Sequence, residues 1–307
     1  MTWNSQVSSH MPRVKPIGLV AWGPSWRQMM MVKTQCQATT TSRLKARMKS
    51  MKRSRSGAGT LGAAGTALVP STAMARAPGW SPIAATVLAL ALVNVASNRL
   101  VPAVGYVPFA VASTLGLLWV GRRIVGLSWD DLGLARRHLG SGLRWGAATA
   151  GIVLAVYVVG FALPATHDLF RDGRVEDRSL AWVLFASLVR VPFGTVLLEE
   201  VAFRGLLPAA LATRLRLPWA VAWSALAFGL WHVLPAMGLE HVNPVADDTV
   251  GQLPGWVTVA GSVLSTAAVG VFFWWLRDRS HSLLAPMALH WSTNALGYLF
   301  AYAAWNL

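Results

Sequence analysis

The sequence predicts an all-α fold, a polytopic transmembrane helical bundle of about seven spans, on three observations. Of its 307 residues, 54% are hydrophobic and only 13% charged, with a mean hydropathy of +0.47, which is too apolar for an ordinary soluble domain. Apolar segments recur along the chain near the length of about 20 residues that crosses a bilayer. Arginines cluster in alternate connections between those segments, as the positive-inside rule requires. The sixteen tryptophans suit the two membrane interfaces. The sole cysteine, Cys36, excludes an internal disulfide and every two-cysteine metal motif.

The formal charge of +15 suggests nucleic acid until it is divided along the chain. Residues 1–79 hold twelve of the 27 Lys and Arg and none of the 12 acidic residues, so the remainder is nearly balanced. The partner read from that remainder, residues 80–307, is the lipid bilayer and not nucleic acid. Residues 1–79 lack a sustained apolar period, and Ser42–Arg55 is a dense basic run. Attraction to anionic lipid or nucleic acid, a transit peptide and a disordered tail all fit that composition. A fourth reading is preferred. Every lysine lies at or before Lys52 and eight of the ten methionines at or before Met74, so Met74, or Met51, is read as the natural start after an over-extended reading frame.

The spans follow in order. Pro82–Ala96 and Val101–Val120 come first, and the loop 121–144, with Arg122, Arg123, Arg136, Arg137 and Arg144 against Asp130 and Asp131, is read as cytoplasmic. Leu143–Leu163 is the third span, and the loop 164–178, richer in acid, is external. The tract Leu180–Ala212 is about 50 Å of helix, longer than a roughly 30 Å hydrocarbon core, so it must tilt, kink or divide, with Pro192 as the expected break. Arg214 and Arg216 mark the next cytoplasmic turn. Pro218–Met237 is the fifth span, and the loop 238–254, which has no Lys or Arg, is external. Gly255–Leu276 is the sixth span, Arg277 and Arg279 are cytoplasmic, and Leu283–Ala301 is the seventh. The N-terminus is then inside and the C-terminus outside, with Arg99 as the single dissent.

Inside these spans stand Glu199, Glu200 and Arg204, then His232, then His290 with Asn294. Ionisable side chains at bilayer depth cost roughly 2.5–3.5 kcal/mol on insertion scales and mark sites by default. The alternative for the first three is a helix end at the surface, with Glu200 and Arg204 as an i,i+4 pair. Depth decides against it. Glu199 lies fifteen residues before Arg214, His232 fourteen after Pro218 and His290 eleven after Arg279. Three helices thus carry these groups to a similar level, roughly 16–22 Å from the inner boundary. His290 and Asn294 share a helix face, as do Phe228 and His232.

Taken singly, either histidine is equally well an interhelical hydrogen-bonding group, and Asn294 alone is interhelical glue. Phe228, Trp231 and Trp291 are read as packing, and Arg190 as snorkelling or pairing with a carboxylate. His241, Asn243, Asp247 and Asp248, and likewise His167 and Asp168, are read as solvated surface. Together, two Glu, an Arg, two His and an Asn can activate water and stabilise an oxyanion. Glu199, His232 and His290 are also adequate zinc ligands, although HExxH is absent, so a metal-held and a side-chain-held water both remain open.

Glu199-Glu200-Val201-Ala202-Phe203-Arg204 reads EExxxR, Phe228 to His232 reads FxxxH and His290 to Asn294 reads HxxxN, in that order on successive spans. This resembles the CPBP intramembrane proteases, the type II CAAX prenyl endopeptidase and Abi family, over about Leu127–Leu299, including GLSWDDLGL as the lead-in. The resemblance implies a membrane endopeptidase whose site opens toward the cytoplasm and between helices. Glu199 would activate water with His232, His290 and Asn294 would bind the oxyanion, and Glu200 and Arg204 would support the site. The expected substrate is a membrane-associated peptide or protein, prenylated or not, in a bacterial cell membrane. The alternatives are a non-catalytic immunity or scaffold protein of the same fold, or a transporter using the Glu pair as a proton relay.

Overall fold

The computed structural model describes residues 79–237 and 254–307. Backbone polar groups in a bilayer must be satisfied within their own segment, so apolar tracts of this length fold as helices. The described residues do so throughout, without a strand. Six helices are both long and apolar enough to cross a membrane: α1 Trp80–Leu100, α2 Ala103–Val125, α3 Arg136–Ala162, α4 Leu180–Ala212, α5 Leu217–Ala236 and α6 Gly255–Ser280. The last, α7 Leu284–Asn306, has 23 residues and reaches as far. It is less apolar because it carries His290, Ser292, Thr293 and Asn294. The expected bundle of about seven spans is therefore present.

The bundle is built around α4, whose Leu198, Val201, Ala202, Phe203, Leu206 and Leu207 are buried. Helices α1, α2, α5 and α7 pack on α4, α3 pairs with α7, and α6 pairs with α5. The outer helices turn large apolar side chains outward, Leu88, Ile152 and Leu264 among them. So much exposed apolar surface suits lipid and would be a liability in water. Each connection has a local reason to turn. Gly126 ends α2 in the left-handed region at φ 81°. The carboxylate of Asp131 accepts from both the backbone N–H and the hydroxyl of Ser128, at 2.7 Å each. The hydroxyl of Ser179 caps α4 by accepting from the Trp182 N–H.

One expectation fails. Pro192 does not break the fourth helix, which runs unbroken over 33 residues. Its turns Ala186–Val196 are π-helical, and the N–H of Leu197 donates to the carbonyl of Pro192, five residues back. A ring that would clash with the preceding turn of a regular helix is accommodated by the wider turn. The loop 238–254, with His241, Asn243, Asp247 and Asp248, lies outside the described residues apart from Pro254, as do Cys36 and the basic extension.

Candidate active site

Between two π-helical stretches of α4, Ala186–Val196 and Val201–Leu206, one regular turn, Leu197–Glu200, carries both glutamates. Such changes of helical pitch redirect side chains and recur at functional sites. Glu200 has no exposed surface and Arg204 is 1% exposed, which rules out a helix end in solvent.

Glu200 is fully buried, with its partners on Oε1 and none on Oε2. Its Oε1 accepts from the Nδ1–H of His290 at 2.8 Å and stands 3.2 Å from Nη1 of Arg204. The Arg204 contact has ion-pair distance without hydrogen-bond alignment, since none of its three guanidinium nitrogens has an acceptor. Two aromatic faces hold the cation as well, with its Cζ 3.8 Å from the ring centroid of Phe228 and 4.8 Å from that of Phe273. Phe228, the first residue of FxxxH, is therefore the stacking partner of the arginine in EExxxR.

Glu199 faces the other way. Its Oε1 accepts from the indole N–H of Trp231 at 3.0 Å, while its Oε2 has no hydrogen-bond partner. Nε2 of His290 lies 3.9 Å from that Oε2, so His290 bridges the two carboxylates. Glu199 lines a cavity of about 910 Å³ together with His232 and Asn294. His232 sits where the regular helix of α5 ends, at φ −87° and ψ 1°, a sparsely populated backbone region common among active-site residues. Its Nδ1–H donates to the carbonyl of Phe228 at 2.8 Å, which leaves the lone pair on Nε2. The side-chain amide of Asn294 makes no hydrogen bond among the described residues.

The structure thus brings all six predicted residues into one neighbourhood, with three on the cavity wall and three behind it. Sequence reasoning missed their supports. Trp231, read as packing, orients the Glu199 carboxylate. Asn94, buried in α1, donates to the Trp231 carbonyl at 2.7 Å and fixes the end of the α5 helix. Gly229 lets α5 approach α6, since a Cβ there would stand 2.5 Å from the Val263 carbonyl oxygen. His167 is half-buried, and its Nδ1–H donates to the Phe161 carbonyl at 3.1 Å. Among the described residues no group of three His, Cys, Asp or Glu is placed to hold a metal ion.

The cavity runs from Glu199 to Ser97, Asn98, Tyr106 and the segment carrying Thr166, Asp172 and Arg174. That end lies opposite the arginine-rich turns 121–144, 213–216 and 277–283. A smaller cavity of about 550 Å³, lined by Asp130, Asp131, Arg204 and Arg277, approaches the buried arginine from the arginine-rich end. The charge rule and the family resemblance therefore assign the mouth of the larger cavity to opposite sides of the membrane.

No solved structure matches the chain. Two curated mycobacterial proteins, each named "Putative phosphate permease", one from Mycobacterium bovis and one from Mycobacterium tuberculosis, are 31% identical to it over 111 residues. That stretch is 35% of this chain and 20% of each relative, so the chain matches only about a fifth of their length. Residues 179–296, which contain α4, α5 and all three motifs, match the family described as type II CAAX prenyl endopeptidase Rce1-like.

Proposed function

We propose that the protein is an intramembrane endopeptidase that hydrolyses a peptide bond in a membrane-associated or lipidated peptide or protein, with Glu199 as general base. The observation that carries this reading is that Glu199, whose Oε2 has no hydrogen-bond partner, lines a cavity whose wall also holds His232 and Asn294. A water between Glu199 Oε2 and His232 Nε2 meets two acceptors. Glu199 takes one of its protons as the oxygen bonds to the scissile carbonyl carbon. The carbonyl oxygen becomes an oxyanion and receives hydrogen bonds from the Asn294 amide and the His290 ring. Collapse of the tetrahedral intermediate breaks the C–N bond, and the Glu199 carboxylic acid returns its proton to the leaving amine.

The proposed chemistry uses side chains alone. The substrate reaches Glu199 from the end carrying the segment 166–174, which the charge rule makes the non-cytoplasmic side.

Comparing membrane peptides from wild-type and Glu199→Ala cells tests the reading. The expected result is a substrate whose cleavage disappears in the variant, with wild-type cleavage by purified protein surviving chelation. A folded Glu199→Ala protein that fully supports the cellular phenotype would favour a non-catalytic scaffold. Proton-coupled uptake in liposomes, lost on Glu200→Gln, would favour transport.

A further inference from the structure

Arg190 lines the same cavity as Glu199, His232 and Asn294, well inside the span of α4. The expected carboxylate partner is absent among the described residues. The guanidinium makes one long hydrogen bond, from Nη1 to the Tyr298 hydroxyl at 3.4 Å, and its Cζ lies 4.9 Å over the Tyr106 ring. The second tyrosine is fixed in turn, its hydroxyl 3.1 Å from that of Thr195, and Gly194 gives its ring room, since a Cβ there would stand 2.6 Å from it. Arg190 is therefore positioned by the Tyr106 ring face and the Tyr298 hydroxyl, with most of its five donors unspent. The cavity's other arginine contrasts with it. Arg174 is bound by the Asp172 carboxylate through contacts at 3.0 Å and is neutralised by its own loop. A guanidinium at membrane depth without a counter-charge is costly, and its planar fork fits a carboxylate with two parallel hydrogen bonds.

We propose that Arg190 is a carboxylate-binding subsite of this cavity, which anchors a substrate by its free C-terminal carboxylate while the scissile bond lies at Glu199. This rests on the hydrolase reading of the site. The two residues are nine positions apart on α4, on the order of 10–14 Å along the helix, a distance spanned by about three or four residues of extended chain. A peptide held at both points thus has a fixed length beyond the cut. The carboxylate can also come from an acidic side chain, and the test separates the two sources.

Full-length protein in lipid nanodiscs would be titrated with a dansyl-labelled apolar hexapeptide as the free acid, as the C-terminal amide, and as an amide with glutamate at its last position. Binding is read in the Glu199→Gln background, where the peptide stays intact, and cleavage in the otherwise wild-type protein. The free acid is expected to bind at least about tenfold tighter than the amide. Arg190→Gln should abolish that preference without weakening the amide, and Arg190→Lys should restore part of it. If the glutamate amide binds as tightly as the acid, the subsite stands with the side chain as its source. Equal binding of acid and amide, no binding of the acid, or an acid preference that survives Arg190→Gln overturns the proposal. Acid-selective binding without Glu199-dependent cleavage would keep the subsite and reject the hydrolase. Glu199-dependent cleavage that ignores the C-terminus would do the reverse.

Discussion

Adjacent residues of one helix, Glu199 and Glu200, occupy two different regions of this molecule. Behind the cavity, Glu200 is enclosed by His290 and Arg204, and the arginine is enclosed by Phe228 and Phe273. Each glutamate keeps one oxygen without a partner, but only Glu199 stands on the cavity wall, beside the Asn294 amide and the His232 ring. A buried charge with its partner in place contributes order, and removing one partner leaves the other exposed to the full cost of burial. A polar group that stands on a cavity wall and holds no counter-charge contributes little to folding and is available for chemistry. The regions therefore separate support from reaction, and substitutions should separate stability from activity in the same way.

The largest loss of stability should come from the enclosed region. Arg204→Ala strands Glu200 and removes the aromatic sandwich, so thermal or denaturant unfolding in detergent should show a loss of about 3–5 kcal/mol. A smaller loss would place the cluster in contact with water. Next, Asn294→Ala should leave unfolding unchanged and lower the turnover rate by about 10²–10³-fold, the usual cost of one oxyanion donor. Equal turnover by the variant would remove Asn294 from the reaction. The smallest effect joins the two regions. Trp231→Phe deletes the single hydrogen bond that orients Glu199, with an expected cost of about 1 kcal/mol in stability and a modest fall in turnover. A rise in KM alone would instead make Trp231 a substrate contact.

The fold was legible because lipid imposes a simple rule: tracts of about 20 apolar residues must be helices, and alternating arginines order them. The six polar site residues were legible for the complementary reason, since charge and imidazole are expensive in such tracts. Their common depth, counted from loop markers alone, anticipated the 3.9 Å approach of His290 to Glu199. Trp231 and Phe273 were not legible, because aromatic side chains are frequent in apolar spans and only geometry shows which ones touch a carboxylate or a guanidinium. Asn94 stood as a polar residue in the first span, but sequence alone offered no partner for it. Pro192 misled because its clash is local to a regular helix, and a wider turn removes the clash without ending the helix.

The central claim is that Glu199 reacts while Glu200 supports. It is tested most directly by measuring unfolding and cleavage side by side for Glu199→Gln and Glu200→Gln, using a substrate identified by the membrane-peptide comparison. Glu199→Gln should unfold like the wild type and lose about 10²–10⁴-fold in turnover, as expected for a general base. Glu200→Gln should be clearly less stable and keep measurable cleavage in the fraction that folds. A Glu199→Gln protein that cleaves at the wild-type rate, with Glu200→Gln folded and inactive, would contradict the assignment.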